Sequence, residues 1–138
     1  MQKTRKFPGN YKSLAKISRF LEQAIKQAGL NAREAYSVKL AVDEACCNII
    51  DHAYGGENKG EIECSLLVEN DCLQIELRDQ GKPFNPEKVP PPQFDVPLRN
   101  LKEHGVGFYL MNQLMDSVHY EYSKEKGNRM VMEKRKSR

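Results

Sequence analysis

The 138-residue chain predicts an α+β fold, a two-layer sandwich in which one mainly antiparallel, mixed sheet carries helices on one face. Three observations point there. Two stretches before residue 54 keep a helical period, two hairpins of alternating apolar residues come later, and a further helix falls between those hairpins. The length suits a single domain, residues 1–138, with one core that needs no staple and no room for a second catalytic domain.

After a short extended start, Pro8-Gly9-Asn10 punctuates the chain, and Asn10 is placed to cap a helix running to about Ala28. Leu14, Ile17, Leu21, Ile25 and Ala28 recur at threes and fours, the stripe of a helix with one face on a core. Gly29-Leu30 ends it. Asn31 caps a longer helix to about Ala53, with the stripe Val38, Val42, Ala45, Ile49 and Ala53, and Tyr54-Gly55-Gly56 closes it with residues that tolerate a left-handed turn. Ile62, Cys64, Leu66 and Val68 alternate with more polar neighbours, as do Leu73, Ile75 and Leu77, and Glu69-Asn70-Asp71 turns between them, which makes a hairpin. The segment from Gln80 to His104 holds Pro83, Pro86, Pro90, Pro91, Pro92 and Pro97, too proline-rich for a helix over most of its length and too long for an idle connection. It reads as a candidate lid. Gly107 to about Met115 reads as a helix, and Val118–Tyr122 and Arg129–Glu133 form a second hairpin across Lys126-Gly127-Asn128.

Lysine and arginine (22) barely outnumber aspartate and glutamate (19), for a net charge of +3 with both signs mixed along the chain. No surface dedicated to nucleic acid is indicated. The one basic cluster, Lys134-Arg135-Lys136-Ser137-Arg138, reads as a solvated terminus. Cys46, Cys47, Cys64 and Cys72 include no Cys-x-x-Cys pair, and no histidine stands at zinc-finger spacing, which argues against structural zinc. Cys46 and Cys47, adjacent inside an apolar helical stretch, fit small buried hydrophobes in a reducing, cytoplasmic setting. The start Gln2-Lys3-Thr4-Arg5-Lys6 lacks the apolar run of a signal peptide, and no membrane-length apolar run follows, so a soluble, intracellular protein is expected.

Three short stretches carry chemistry. On the second helix, at about 100° per residue, Glu44, Asn48 and Asp51 share a sector that flanks the apolar stripe. A carboxylate and an amide oxygen one turn apart can divide into a proton acceptor and a hard neutral ligand for Mg²⁺; the same spacing also describes a plain solvated face. Asp79 leaves a strand into Gln80-Gly81, where a carboxylate can accept from an exocyclic amine and a residue without a side chain lets a flat base approach. Asp-x-Gly turns also occur in hairpins with no ligand. Gly105-Val106-Gly107 opens a helix, so two glycines permit close backbone approach while exposed N–H groups and the helix dipole favour an anion. A lone Gly-x-Gly carries little by itself, and the absence of Gly-x-x-x-x-Gly-Lys-Ser/Thr excludes a P-loop. Arg99 and Lys102, in the candidate lid, are either γ-phosphate ligands or solvated loop charges. His52, at a helix end, reads as a structural hydrogen-bonding group rather than a catalyst.

In this order the three stretches resemble the Bergerat-type ATP-binding fold shared by gyrase, sensor histidine kinases and mismatch-repair proteins. Ala41-Val42-Asp43-Glu44-Ala45-Cys46-Cys47-Asn48-Ile49-Ile50-Asp51-His52-Ala53-Tyr54 is similar, nearly residue for residue, to the N box of the bacterial anti-sigma factor serine kinases. Asp79-Gln80-Gly81-Lys82-Pro83-Phe84 resembles their G1 box, and Gly105-Val106-Gly107-Phe108-Tyr109-Leu110-Met111, followed by Leu114-Met115-Asp116, their G2 box and its trailing helix. The resemblance implies ATP and Mg²⁺ as cofactors, with Asn48 on the metal, Asp79 on the adenine amino group, Gly81 making room for the base, and Gly105 and Gly107 framing the triphosphate under the lid. Asp51, His52, Pro83, Phe84, Val106 and Phe108 belong to the matched strings as further ATP-site positions. Glu44 matches the general base, which in the kinases takes the proton of a substrate serine. One departure stands out. Many relatives carry a threonine near the last hairpin that helps hold the adenine site, whereas this chain has Gly127-Asn128-Arg129, and Asn128 receives no role from the resemblance.

The function this implies is a cytoplasmic serine/threonine protein kinase that phosphorylates an anti-sigma factor antagonist and sequesters a sigma factor. It would work as a homodimer and touch neither nucleic acid nor membrane. A non-catalytic module that holds ATP to switch partners would present the same site residues. A detached sensor histidine kinase domain is disfavoured, because no phospho-accepting histidine helix precedes the site and His52, His104 and His119 lie within the domain.

Overall fold

The computed structural model describes residues 1–85 and 111–137. Most of the expected lid, with Arg99 and Lys102, and the stretch Gly105, Val106, Gly107 and Phe108 lie outside the described residues. Among the described residues five strands, β1 (Gln2–Pro8), β2 (Glu61–Glu69), β3 (Cys72–Asp79), β4 (Ser117–Ser123) and β5 (Gly127–Arg135), form one sheet in the order β1-β2-β3-β5-β4. Every described pairing is antiparallel. Among the described residues α1 (Ser13–Gln27) and α2 (Ala32–Asn48) cover one face and residues 111–114 are also helical, so the expected α+β sandwich is the observed one. Ile62, Cys64 and Leu66 of β2 and Leu73, Ile75 and Leu77 of β3 point into the core beneath the helices, and Glu63, Gln74, Glu76 and Arg78 alternate onto the open face.

The two helices start differently: α2 has the expected cap, whereas the N-cap position of α1 is Lys12, which makes no side-chain cap bond, and Asn10 acts from the turn before it. Asn10 Oδ1 accepts the Ser13 N–H at 3.1 Å, and Asn31 and Glu34 form a reciprocal capping box with both bonds at 2.8 Å. The end of α2 departs from expectation. Regular α-helix stops at Asn48, and Ile49–Ala53 wind as a π-helical turn that closes with the Tyr54 N–H on the Ile49 carbonyl at 2.9 Å. The wider turn breaks the 100° progression beyond Asn48, and with it the sector expected to hold Asp51 beside Glu44 and Asn48.

Three further differences concern the sheet. The extended start is a full strand, β1, anchored by Phe7, which is buried and meets Phe20 edge-on at 5.6 Å between ring centroids. The turn of the last hairpin is residues 124–126, so Gly127 and Asn128 belong to β5 rather than to the turn. The basic end is not a free tail: β5 runs to Arg135, Lys134 Nζ donates to the Leu114 carbonyl at 2.6 Å, and the Ser137 N–H donates to Glu34 at 2.7 Å.

Candidate functional site

The alternation that sends Leu73, Ile75 and Leu77 into the core carries Asp79 there too, at the last position of β3, where it is 3 % exposed. Asn128 stands opposite it on β5. Asn128 Nδ2 donates to Asp79 Oδ1 at 2.8 Å, and the Gly81 N–H donates to the same oxygen at 2.9 Å. Oδ2 takes no hydrogen bond among the described residues. Burial pushes the Asp79 pKa up, against the pull of those two donors.

Beside Asp79, between α2 and the sheet, lies a small hollow with apolar walls from Ala45, Ile49, Leu77 and Met130. Asn48 and Phe84 reach the same hollow, so the structure brings together Asn48, Asp79 and Phe84 from three separate stretches of chain. Phe84 stacks on His52 with centroids 4.7 Å apart and planes at 18°. The cavity measures about 20 Å³, room for a water but not for a purine. The Asn48 amide forms no hydrogen bond among the described residues. Glu44, one turn earlier on α2, is 7 % exposed and is not part of the hollow's lining.

Other expected site residues are placed differently. Asp51 is exposed and accepts a hydrogen bond from the Tyr11 hydroxyl, which pushes the Tyr11 phenol up to about 12; its carboxylate faces the loop before α1, not the hollow. Pro83 is exposed in the turn after β3. At Gly81 a Cβ would lie 2.5 Å from the Ala53 carbonyl oxygen, and the neighbouring Lys82 N–H donates to that oxygen at 2.9 Å. A backbone-to-backbone contact between the end of β3 and the π-helical turn therefore demands glycine there.

Asn128, Tyr120 and Tyr54 were not among the expected site residues. Tyr54 donates to the Glu61 carbonyl at 2.6 Å and accepts the Gln80 N–H at 2.9 Å, fixing the strand end that presents Asp79. Tyr120 lines the hollow and bonds Asn128. The signal for Asn128 is its spacing: Asn128, Met130 and Met132 alternate toward the core once the hairpin turn is set at 124–126. A larger, more open hollow of about 610 Å³ lies off the same strand ends, where Lys6, Lys59 and Lys126 mix with Glu61 and Glu63. Asp79 and Tyr54 also reach it, but its side chains are mostly charged and of both signs, whereas the smaller hollow joins Asp79 to Asn48 and Phe84 and is the candidate site.

The Histidine kinase-like ATPase domain family matches residues 7–134. Serine-protein kinase RsbW of Bacillus mycoides (strain KBAB4) is 34% identical over 117 residues, which span 82% of this chain and 72% of that protein. RsbW of Bacillus velezensis (strain DSM 23117 / BGSC 10A6 / LMG 26770 / FZB42) is 32% identical over 117 residues, covering 82% and 73%. Among solved structures, the RsbU and RsbW domains of Rv1364c from Mycobacterium tuberculosis match with a TM-score of 0.70 at 14% identity, over 100% of this chain and 33% of that longer one. The catalytic domain of histidine kinase ThkA gives 0.56 at 13% identity, over 97% and 96%. At such identities the structural likeness speaks for the fold, while the RsbW proteins speak for descent. The chain belongs to the histidine kinase-like ATPase domain family and, within it, to the group of the serine-protein kinases RsbW.

Proposed function

We propose that the chain binds ATP with Mg²⁺ between α2 and β3 and transfers the γ-phosphoryl group to a serine or threonine of an anti-sigma factor antagonist, sequestering a sigma factor when it does not. The observation that carries the reading is Asp79, a buried carboxylate at a strand end with one oxygen held by two N–H donors and the other uncommitted. A 6-amino group on a purine is the complement of that oxygen. Asn48 offers a neutral amide oxygen beside it. Among the described residues no three His, Cys, Asp or Glu side chains cluster to hold a metal on their own. One amide ligand, with phosphate oxygens and water for the rest, fits Mg²⁺. The ion, when bound, neutralises charge on the phosphates.

Glu44 is the carboxylate we assign to the substrate hydroxyl proton, a role typically worth about 10²–10⁴ in rate. Phe84, stacked on His52, walls the contracted hollow, so a purine enters only as that pair or the turn at 81–84 yields. Gly105, Val106, Gly107 and Phe108, with Arg99 and Lys102, are assigned to the phosphates. The same reading makes residues 1–138 one domain of a cytoplasmic homodimer that acts through protein contacts. No helix among the described residues is long and apolar enough to cross a membrane.

The test is a transfer assay with γ-labelled ATP, Mg²⁺ and a candidate antagonist. Label is expected on a serine or threonine, falling about 10²–10⁴-fold in Glu44→Ala with ATP affinity largely retained. No calorimetric heat with ATP and excess Mg²⁺ would overturn the reading. Binding without transfer to a genuine partner would favour the switching module that performs no chemistry.

A further inference from the structure

Asn128 is 4 % exposed, and every polar capacity of its side chain is engaged. An asparagine amide has two N–H donors and one carbonyl oxygen with two lone pairs. Here Nδ2 donates to Asp79 Oδ1 at 2.8 Å and to the Lys82 carbonyl at 2.9 Å, with the Gly81 carbonyl further off at 3.5 Å. Oδ1 accepts from the Tyr120 hydroxyl and, at 3.4 Å, from the Phe84 N–H. These partners fix which way the amide points. The Phe84 N–H can only donate, and the Asp79 carboxylate and Lys82 carbonyl can only accept, so a flipped amide would set donor against donor and oxygen against two oxygens.

We infer that Asn128 is a positioning residue for purine selectivity: its amide, locked by Tyr120 and the Phe84 N–H, holds Asp79 as an acceptor-only carboxylate that takes a 6-amino purine and rejects a 6-oxo one. The inference rests on the reading of the hollow as the nucleotide site. With Oδ1 tied to Asn128 and Gly81, the carboxylate cannot rotate freely, and Oδ2 is the oxygen left to meet the base. An amine donates to that oxygen. A 6-oxo group would place oxygen against oxygen unless Asp79 took up a proton and became a donor. Burial favours that proton, and the Asn128 donor opposes it. A hydroxyl residue at position 128 could supply the bond to Asp79, but with one donor it could not also hold Lys82. Asparagine therefore couples two tasks, orienting the carboxylate and pinning the turn at 81–84 to β5.

The experiment compares MgATP and MgITP, which differ in the 6-amino and 6-oxo groups, by calorimetric titration of wild type, Asn128→Ala, Asn128→Thr and Tyr120→Phe. Wild type is expected to prefer ATP. In Asn128→Ala the ATP Kd rises about tenfold or more, the ITP Kd changes little, and the preference collapses by the same factor. Asn128→Thr, which keeps a donor for Asp79, restores most of the preference. Equal weakening of both nucleotides in Asn128→Ala, or an undiminished preference, overturns the inference and reduces Asn128 to a structural part. Should Asn128→Ala not fold, Tyr120→Phe decides: losing one of the two groups that lock the amide must lower the preference severalfold, and an unchanged preference overturns the inference. A wild type that binds ATP and ITP alike sinks this inference alone, whereas a wild type that binds neither sinks the nucleotide-site reading itself.

Discussion

Arg78 and Asp79 are neighbours on β3, and Arg129 and Asn128 face them in register on β5, yet the two cross-strand pairs look to opposite sides of the sheet. On the open side Glu76 receives Arg78 Nε at 2.5 Å on one oxygen and Arg129 Nε at 2.8 Å on the other, and Arg129 reaches on to Glu121 at 3.1 Å. Burial works to raise the Glu76 pKa, but the two guanidinium groups outweigh it and hold the carboxyl below its ordinary value. On the helix side Asp79 has, among the described residues, only neutral donors, both on one oxygen, and burial wins. Both carboxylates are hydrogen-bonded; only Glu76 is neutralised. A carboxylate whose charge and acceptors are all met belongs to the architecture. One kept buried, charged and half-committed costs stability, and that pattern is expected where a ligand completes the site.

The contrast breaks most visibly at Asp79. Asp79→Asn keeps a carbonyl for the Asn128 and Gly81 donors but turns the remaining polar atom into a donor, so the ATP Kd should rise by about ten- to hundredfold, the worth of a hydrogen bond to a charged group. Urea unfolding at neutral pH should show the same variant as stable as wild type or more so, because it no longer buries an uncompensated charge. A variant that loses both binding and stability would show that Asp79 is structural, like Glu76. Glu76→Gln is the mirror test. It should leave the ATP Kd unchanged and cost about 1 kcal/mol of unfolding free energy, the scale of a partly exposed ion-pair network. A change in ATP affinity there would mean that the two faces are coupled through β3.

The two regions were not equally legible in the sequence. Asp79 could be read because it ends an alternating apolar strand at a glycine turn, and Asn48 because it sits on a helix within a recognisable string. Asn128 could not be, because Ser123-Lys124-Glu125-Lys126-Gly127-Asn128 offers no apolar residue to set the register, and a turn placed a little too far along takes it off the strand. Its register is held by Gly127, at φ 76°, where a Cβ would run into the Asp79 carbonyl oxygen. Regular helix continued through residues 49–53 would put Asp51 on the sector of Glu44 and Asn48, and the π-helical turn diverts it to Tyr11. β1 was invisible as a strand for a simpler reason. Phe7 is its one buried side chain, so an edge strand with a single inward anchor has no alternation to display.

The smallest expected effect separates the two carboxylates by the direction in which acid changes their contributions. Asp79 has a folded pKa above its ordinary 3.8, so the penalty for burying its charge is complete above the folded pKa, shrinks as pH falls through it, and is gone below about 3.8. Glu76 has a folded pKa below its ordinary 4.5, so its stabilisation is complete above 4.5 and is lost only as pH falls through the depressed folded value. Measured against wild type in urea from neutral to acid pH, Asp79→Asn should therefore show an advantage that is gone below about 3.8, and Glu76→Gln a deficit that is whole above about 4.5 and closes below it. The two difference curves have opposite sign at neutral pH and both shrink toward zero in acid. Curves of the same sign would mean that neutral donors satisfy a buried carboxylate here as fully as two arginines do, and the distinction between the open face and the helix face would be lost.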